Sequence, residues 1–504
     1  MVKYVEEDLL ALLKEISLLE ENQALLGWDA LTGMPTDSSD FRAELLSYLG
    51  GKSFELMTGP KMTDMLNYFR QNPTILSKLG NQLVAHESKK VKLNTNIPNE
   101  DFMEYQRLTS KAQDAWAKAR QNNDYAIYAP YLEKIIEYKK KFIKLWDPQN
   151  QAKTLYDVLL DQFEPGLTVA KLDVIFNEVK TGLQKIQNKL SYGQKPDDRI
   201  MHREVPIAQQ RELALTLAQK LGYKLSKGRL DDTIHPFMTA MNRNDARITT
   251  RWATNDYQMA VLGVLHEAGH GLFEQNIAAK FDYTPFAKDM AMSIHESQSL
   301  FNEIIIGRSK SYWQNEFITL NAVTNDTFAD VSFNEWYRAW MTTKPTLIRT
   351  EADPLTYPLH IIIRYEIEKA IFNDDFNIKD LPALWNAKYQ EYLGILPEND
   401  LVGILQDIHW AGGDFGYFPS YALGHLYAAQ FYHTMQKTID FDQVYASGDY
   451  QAIFDWRKEH VWQYGASKTP QEILKQATGE ELNPQYWLEL QDAIYTDVYQ
   501  VVIN

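Results

Sequence analysis

Cysteine is absent from all 504 residues, which excludes a disulfide framework and any thiolate metal site. A metal held by this chain must take nitrogen and oxygen ligands. Freedom from cysteine also suits a reducing compartment, and the first ten residues, Met1 to Leu10, carry neither a basic leader nor an uninterrupted apolar segment of the secretory kind. A cytoplasmic location is therefore expected. No run of 18 apolar residues occurs, which argues against a transmembrane helix. Basic residues are outnumbered 51 to 67, and the resulting charge of −16 argues against nucleic acid or an anionic membrane surface as the main partner. Gly/Ser linkers, low-complexity tracts and internal repeats are also missing. One continuous body spanning residues 1–504 is the simplest organisation.

Helical periodicity is what the chain has in abundance. Apolar residues spaced by three and four run through Leu9 to Leu19, Tyr131 to Leu145, Leu172 to Ile186 and Ile361 to Ile371, with proline punctuation between them. Strand patterns are few, the best being Arg243 to Thr250. The expected fold is all-α with at most a small sheet.

Within this background, His266-Glu267-Ala268-Gly269-His270 stands out. Residues four apart share one helix face, so two imidazoles can converge on one metal ion with bonds of about 2.0–2.1 Å. Glu267 lies about 100° round the helix and suits a general base acting on water. Apolar neighbours without proline, Met259 to Leu265 and Gly271 to Phe273, point to a largely buried helix. Its glycines 263, 269 and 271 need a packing reason, such as the close approach of a second segment.

A catalytic site of this kind takes a third protein ligand and leaves a position open. The best source is a second helical stretch from Ala287 to Gly307, separated from the first by Asn276 to Pro285. Packed against the first helix, it would bring either His295 or Glu296 to the two imidazoles, and spacing alone leaves the choice between them open.

Four further clusters join polar groups to apolar segments: His235-Pro236-Phe237, Asp245-Ala246-Arg247-Ile248-Thr249, Ile294 to Gln298, and Gln406-Asp407-Ile408-His409-Trp410. In this order and at these separations the chain resembles the carboxypeptidase Taq family of metallocarboxypeptidases, through its HPF, DxRxT, HExxH, HESQ and QDxHW motifs. The likeness extends from Leu26-Gly27-Trp28-Asp29, through Tyr156 to Asp161 with Glu164-Pro165-Gly166, to Phe415 to Tyr421. The chain departs from the family pattern at Leu300 and Asn302, where Arg and Trp are usual.

The resemblance implies that His266, His270 and Glu296 are the metal ligands, that Glu267 is the base, and that His295 orients a ligand. It also implies a mainly helical body with a small sheet near the metal and a deep groove, a homodimer, and removal of single residues with broad specificity from peptides with a free C-terminus. Zn²⁺ is the default metal for His₂Glu, and Co²⁺ or Mn²⁺ suits the same donors.

The chemistry asks for two more kinds of group. An oxyanion forming at the scissile carbonyl needs hydrogen-bond donors, for which His409 and Tyr417 are the candidates, with Asp407 or a backbone carbonyl as the partner of His409. A terminal carboxylate needs a planar guanidinium, which Arg349 or Arg247 would provide. Each arginine could instead be a structural ion pair, Arg247 with Asp245 and Arg349 with Glu351 or Asp353. His235-Pro236-Phe237 reads as a rigid turn closing one end of the groove, with His235 facing substrate. Two other functions fit the same motifs: a zinc endopeptidase of the oligopeptidase type, and a peptide-binding protein without catalysis.

Overall fold

The computed structural model describes residues 3–374 and 376–502. Each of the periodic stretches is a helix: Glu6–Thr32 (α1), Ala129–Trp146, Val169–Leu190 and Tyr357–Asn373. In α1 the apolar stripe Leu9, Leu12, Leu13 and Ile16 is buried, as an amphipathic period of 3.6 requires. No helix among the described residues is long and apolar enough to cross a membrane.

The expected strand is Asp245–Thr250 (β3), the centre of a three-stranded sheet. It pairs in parallel with Leu230–Asp232 (β1) and antiparallel with Met238–Asn242 (β2), with an irregularity between Ala240 and Asn242. The sheet packs against the helix Tyr257–Gln275 (α2), which bears the two histidines. That helix is apolar nearly all round and correspondingly buried. Asp256 starts it, its carboxylate accepting from the Met259 N–H at 3.2 Å.

The second helix begins later than its sequence suggests, at Met292, and ends as an α-helix at Leu300 (α3). Residues 276–291 instead make short 3-10 turns around Pro285, and Lys288 and Asp289 bond away from any local helix. Lys288 reaches Ser17 and Glu20 of α1, and Asp289 reaches His86 and Lys90. Beyond Leu300 the backbone widens into a π-helix over Phe301–Ile306, a geometry often found beside functional sites.

The helix Pro419–Met435 (α4) crosses α3, and α3 packs on α2. Glycine makes both approaches close. A methyl on Gly269 would lie 2.5 Å from the Ser299 Cα, and one on Gly424 would lie 2.7 Å from the Glu296 Cγ. The packing reason expected for Gly269 is thus the backbone of α3 itself. Three helices meet where His266, His270 and Glu296 lie.

Candidate metal centre and substrate cavity

His266 and His270 point their Nε2 atoms toward Glu296 of α3, whose Oε2 lies 3.9 Å from the first and 3.4 Å from the second. Two bonds of about 2.05 Å at a tetrahedral angle separate ligand atoms by about 3.3 Å. The three donor atoms all lie within 4.8 Å of one another, and the two Glu296 distances of 3.9 and 3.4 Å are close to that spacing, so the set can close on one divalent ion.

The outward nitrogens are occupied as such a site requires. His266 Nδ1 lies 2.8 Å from Glu303 Oε2, on the π-helical turn. His270 Nδ1 meets His295 Nδ1, and His295 Nε2 meets Glu274 Oε1 at 2.9 Å. A carboxylate accepts only, so His295 donates to Glu274 from Nε2 and accepts from His270 at Nδ1. That chain leaves the His270 Nε2 lone pair facing Glu296.

Electrostatics agree with a cation site. Against the cost of burial, His266 is pushed up to about 10 by Glu296, Glu303 and Glu267. Burial and His295 push His270 down to about 3. Despite its burial, Glu296 is held at about 2 by His266 and His270. Glu267 is raised to about 7, first by burial and then by Glu296 and Glu303. Negative charge thus exceeds positive at this spot, and a proton on His266 stands where a metal would bind.

These groups line a cavity of about 780 Å³, together with His235, Arg349, Tyr357, Tyr421 and His425. A larger and more open groove of about 1040 Å³ lies between the helices Val169–Leu190 and Gln485–Val498 and includes none of these histidines.

Arg349 is buried beside the cavity. Its Nε and Nη2 donate to Asp407 Oδ1 at 3.1 and 2.9 Å, and its Nη1 donates to the Tyr357 hydroxyl at 2.9 Å. Its ion-pair partner is Asp407, not Glu351 or Asp353. Asp353 is occupied as an acceptor of the Lys344 and Leu355 N–H groups. Asp407 also receives Arg364, at 2.7 Å. Against its burial the two arginines hold it well below the usual carboxylate range. Two guanidinium groups share one carboxylate, which leaves a local charge of +1.

Three other expected residues lie off the cavity wall. Arg247 pairs side-on with Asp245, both bonds 2.8 Å, and stacks 4.5 Å from the Trp28 ring. The rest of that motif is structural too, since the Thr249 hydroxyl exchanges hydrogen bonds with the Phe237 backbone. His409 packs 4.7 Å from the ring of Phe418 and 5.8 Å from that of Tyr417. Its Nδ1 is 3.9 Å from Asp407, too far for a hydrogen bond. Burial and the two arginines push it down to about 4, so it is neutral near pH 7. Tyr417 is a half-buried ring set edge-on to Phe163 and Tyr421. In the QDxHW segment the polar work falls instead to Asp407 and to Gln406, which accepts from the Arg349 N–H and from Arg364.

The cavity includes groups that sequence reasoning passed over. Tyr421 and His425 are four apart on α4, a spacing that could have paired them. His425 donates from Nδ1 to the Tyr421 carbonyl at 2.9 Å and stacks on Tyr357. Glu303, seven residues after Glu296, was legible by the same logic. Of the two departures from the family pattern, Leu300 lines the cavity. Asn302 accepts from Arg457 and donates to the Leu265 carbonyl of α2.

Comparison with known proteins agrees with this architecture. The sequence profile of the carboxypeptidase Taq (M32) metallopeptidases matches residues 8–495. Carboxypeptidase 1 of Bacillus subtilis is 43% identical over 496 residues, covering 98% of both chains. The M32 carboxypeptidase of Deinococcus radiodurans superposes with a TM-score of 0.93 at 30% identity, over 98% of this chain and 99% of that one. Metallocarboxypeptidase 1 of Trypanosoma cruzi gives a TM-score of 0.90 at 32% identity, over 97% and 99%. The chain belongs to the carboxypeptidase Taq (M32) family of metallopeptidases. It is accordingly a metallocarboxypeptidase, a peptide hydrolase whose family implies a divalent metal.

Proposed function

We propose that the protein removes single amino acids, with broad specificity, from the C-termini of peptides, using His266, His270 and Glu296 to hold one Zn²⁺ and Glu267 as general base. The same donors suit Co²⁺ or Mn²⁺. When bound, the ion polarises the scissile carbonyl and makes water acidic enough to be deprotonated near neutral pH. Glu267, buried beside the three donors, takes the proton from water and passes it to the leaving amine, which cannot depart as an amide anion. Tyr421 and Tyr357 bring hydroxyl donors to the cavity, and His409 and Tyr417 act from behind, holding the aromatic wall on which Tyr421 rests.

The observation that carries the exopeptidase reading is the hydrogen-bond inventory of Arg349. A guanidinium has five N–H groups, and three are engaged by Asp407 and Tyr357. One remains on each terminal nitrogen, with a net positive charge behind them. That is the equipment for a substrate carboxylate. His235, exposed at the cavity rim, would contact the chain further from the terminus. Family resemblance supports a homodimer, and the cysteine-free composition suits the cytoplasm.

Time-resolved mass spectrometry of a mixed peptide pool, with and without chelator, tests this. The expected result is a ladder of one-residue losses from the C-terminus that chelator abolishes. Internal cleavage, or a ladder indifferent to chelator, refutes the reading.

A further inference from the structure

The Glu164-Pro165-Gly166 segment has no part in the chemistry above, yet its geometry is tightly specified. Gly166 has a φ of +82°, and the Leu167 N–H bonds the Glu164 carbonyl at 3.0 Å. Proline followed by a glycine of positive φ, closed by that bond, is a type II turn. Glu164 caps the end of the helix Leu155–Phe163, and the turn fixes where its carboxylate points.

It points inward. Glu164 has no exposed surface and no basic partner. Burial pushes its carboxyl up to about 7, and a carboxylate so placed costs folding energy unless hydrogen bonds compensate. Its partners are three: the Ser293 N–H at 3.0 Å, the Ser293 hydroxyl at 2.6 Å and the Ser420 hydroxyl at 2.7 Å.

Those donors lie in the first turns of the two helices that build the site. Ser293 is three residues before Glu296 on α3, and Ser420 is four residues before Gly424 on α4, so each pair shares a helix face. Gly424 is the position at which α4 touches the Glu296 side chain. Glu164 therefore ties α3 to α4 one turn before the place where they grip the third ligand. Ser420 also precedes Tyr421 of the cavity wall.

We propose that Glu164 is a positioning residue of the metal site: it locks the first turns of α3 and α4 together and so sets Glu296 against His266 and His270. The inference rests on Glu296 being a metal ligand. Its measure is affinity for metal, determined by competition of Zn²⁺ between the purified protein and a chromophoric chelator, with the melting temperature of the metal-free protein recorded alongside.

Glu164→Gln turns an amide N–H₂ toward donors and is expected to raise the Zn²⁺ dissociation constant ~10–100-fold, the usual effect of losing an outer-shell support. Ser293→Ala and Ser420→Ala each cut one tie and should each raise it by a smaller factor. A merely structural Glu164 would lower the melting temperature while leaving affinity unchanged. Folded variants that bind Zn²⁺ as tightly as wild type therefore overturn the proposal, and if Glu164→Gln does not fold, the two serine variants decide it. His270→Ala is the control. Should it bind as tightly as wild type, the ligand assignment itself fails and the clamp with it.

Discussion

Replacing Arg349 by methionine should abolish the preference for peptides ending in a free carboxylate. The structure sets the size of the effect. Arg349 keeps one unengaged N–H on each terminal nitrogen, and Arg349, Arg364 and Asp407 sum to +1. A substrate carboxylate bound there forms a charge-assisted pair shielded from water, and truncating one partner of such a pair costs about 2–5 kcal/mol. At 1.4 kcal/mol per factor of ten this is roughly 30- to several-thousand-fold in kcat/KM. Amidating the peptide C-terminus removes the same pair from the other side.

The two changes should therefore not add. Wild type is expected to prefer the free acid over the amide by roughly 10²–10³ in kcat/KM, and Arg349→Met to discriminate by less than about tenfold. Asp407 keeps Arg364 as a partner at 2.7 Å, so no bare carboxylate is left in the variant, and its melting temperature should confirm that it is folded. The assay is initial-rate release of the C-terminal residue, or its amide, from a matched peptide pair by wild type and variant. Equal rates for acid and amide in wild type would favour the oligopeptidase type of endopeptidase and refute the role of Arg349. Undiminished discrimination in Arg349→Met would place carboxylate recognition elsewhere.

How far the site could be read from the chain follows from the physics of each part. The His266 and His270 pair was legible because a helix alone sets its geometry. The third candidate ligand was not. Residues 295 and 296 lie about 100° apart on α3 and both meet α2, and which of them reaches the Nε2 atoms of the two imidazoles depends on packing of Gly269 against the Ser299 backbone, a contact no periodicity encodes. Local reasoning also misled at Arg349, whose carboxylate partner comes from 58 residues along the chain rather than from Glu351 or Asp353. For Arg247, expected as a carboxylate binder with an Asp245 ion pair as the alternative, the pairing seen is the alternative, because Asp245 is two residues away on the same face of a strand. Long-range pairing inside a helical body was the illegible part, and local period the legible one.

The remaining tests probe the base, the helix junction and a buried acid. Glu267→Gln should lower kcat roughly 10²–10⁴-fold with metal still bound stoichiometrically by elemental analysis, whereas full activity would remove Glu267 from the mechanism. Alanine for a mid-helix glycine normally stabilises by up to about 1 kcal/mol, but Gly424→Ala puts a methyl 2.7 Å from the Glu296 Cγ and should instead cost about 1–3 kcal/mol. A raised melting temperature would contradict the close packing of α4 on α3. The last test concerns Glu368, fully buried and accepting from Tyr156, Trp410 and the Gly416 N–H. Burial raises its pKa from 4.5 to about 7. Below about 4.5 it is protonated folded or unfolded. Between there and 7 the native state keeps a proton that the unfolded chain has released, so its contribution to stability falls as pH rises. Above 7 both states are ionised and the penalty is constant. Glu368→Gln lacks this penalty at every pH, so its stability deficit relative to wild type should shrink between pH 5 and pH 8 by up to about 3 kcal/mol. Urea unfolding of both proteins at the two pH values measures the change, and a deficit that stays the same at pH 5 and pH 8 would mean that Glu368 is ionised throughout.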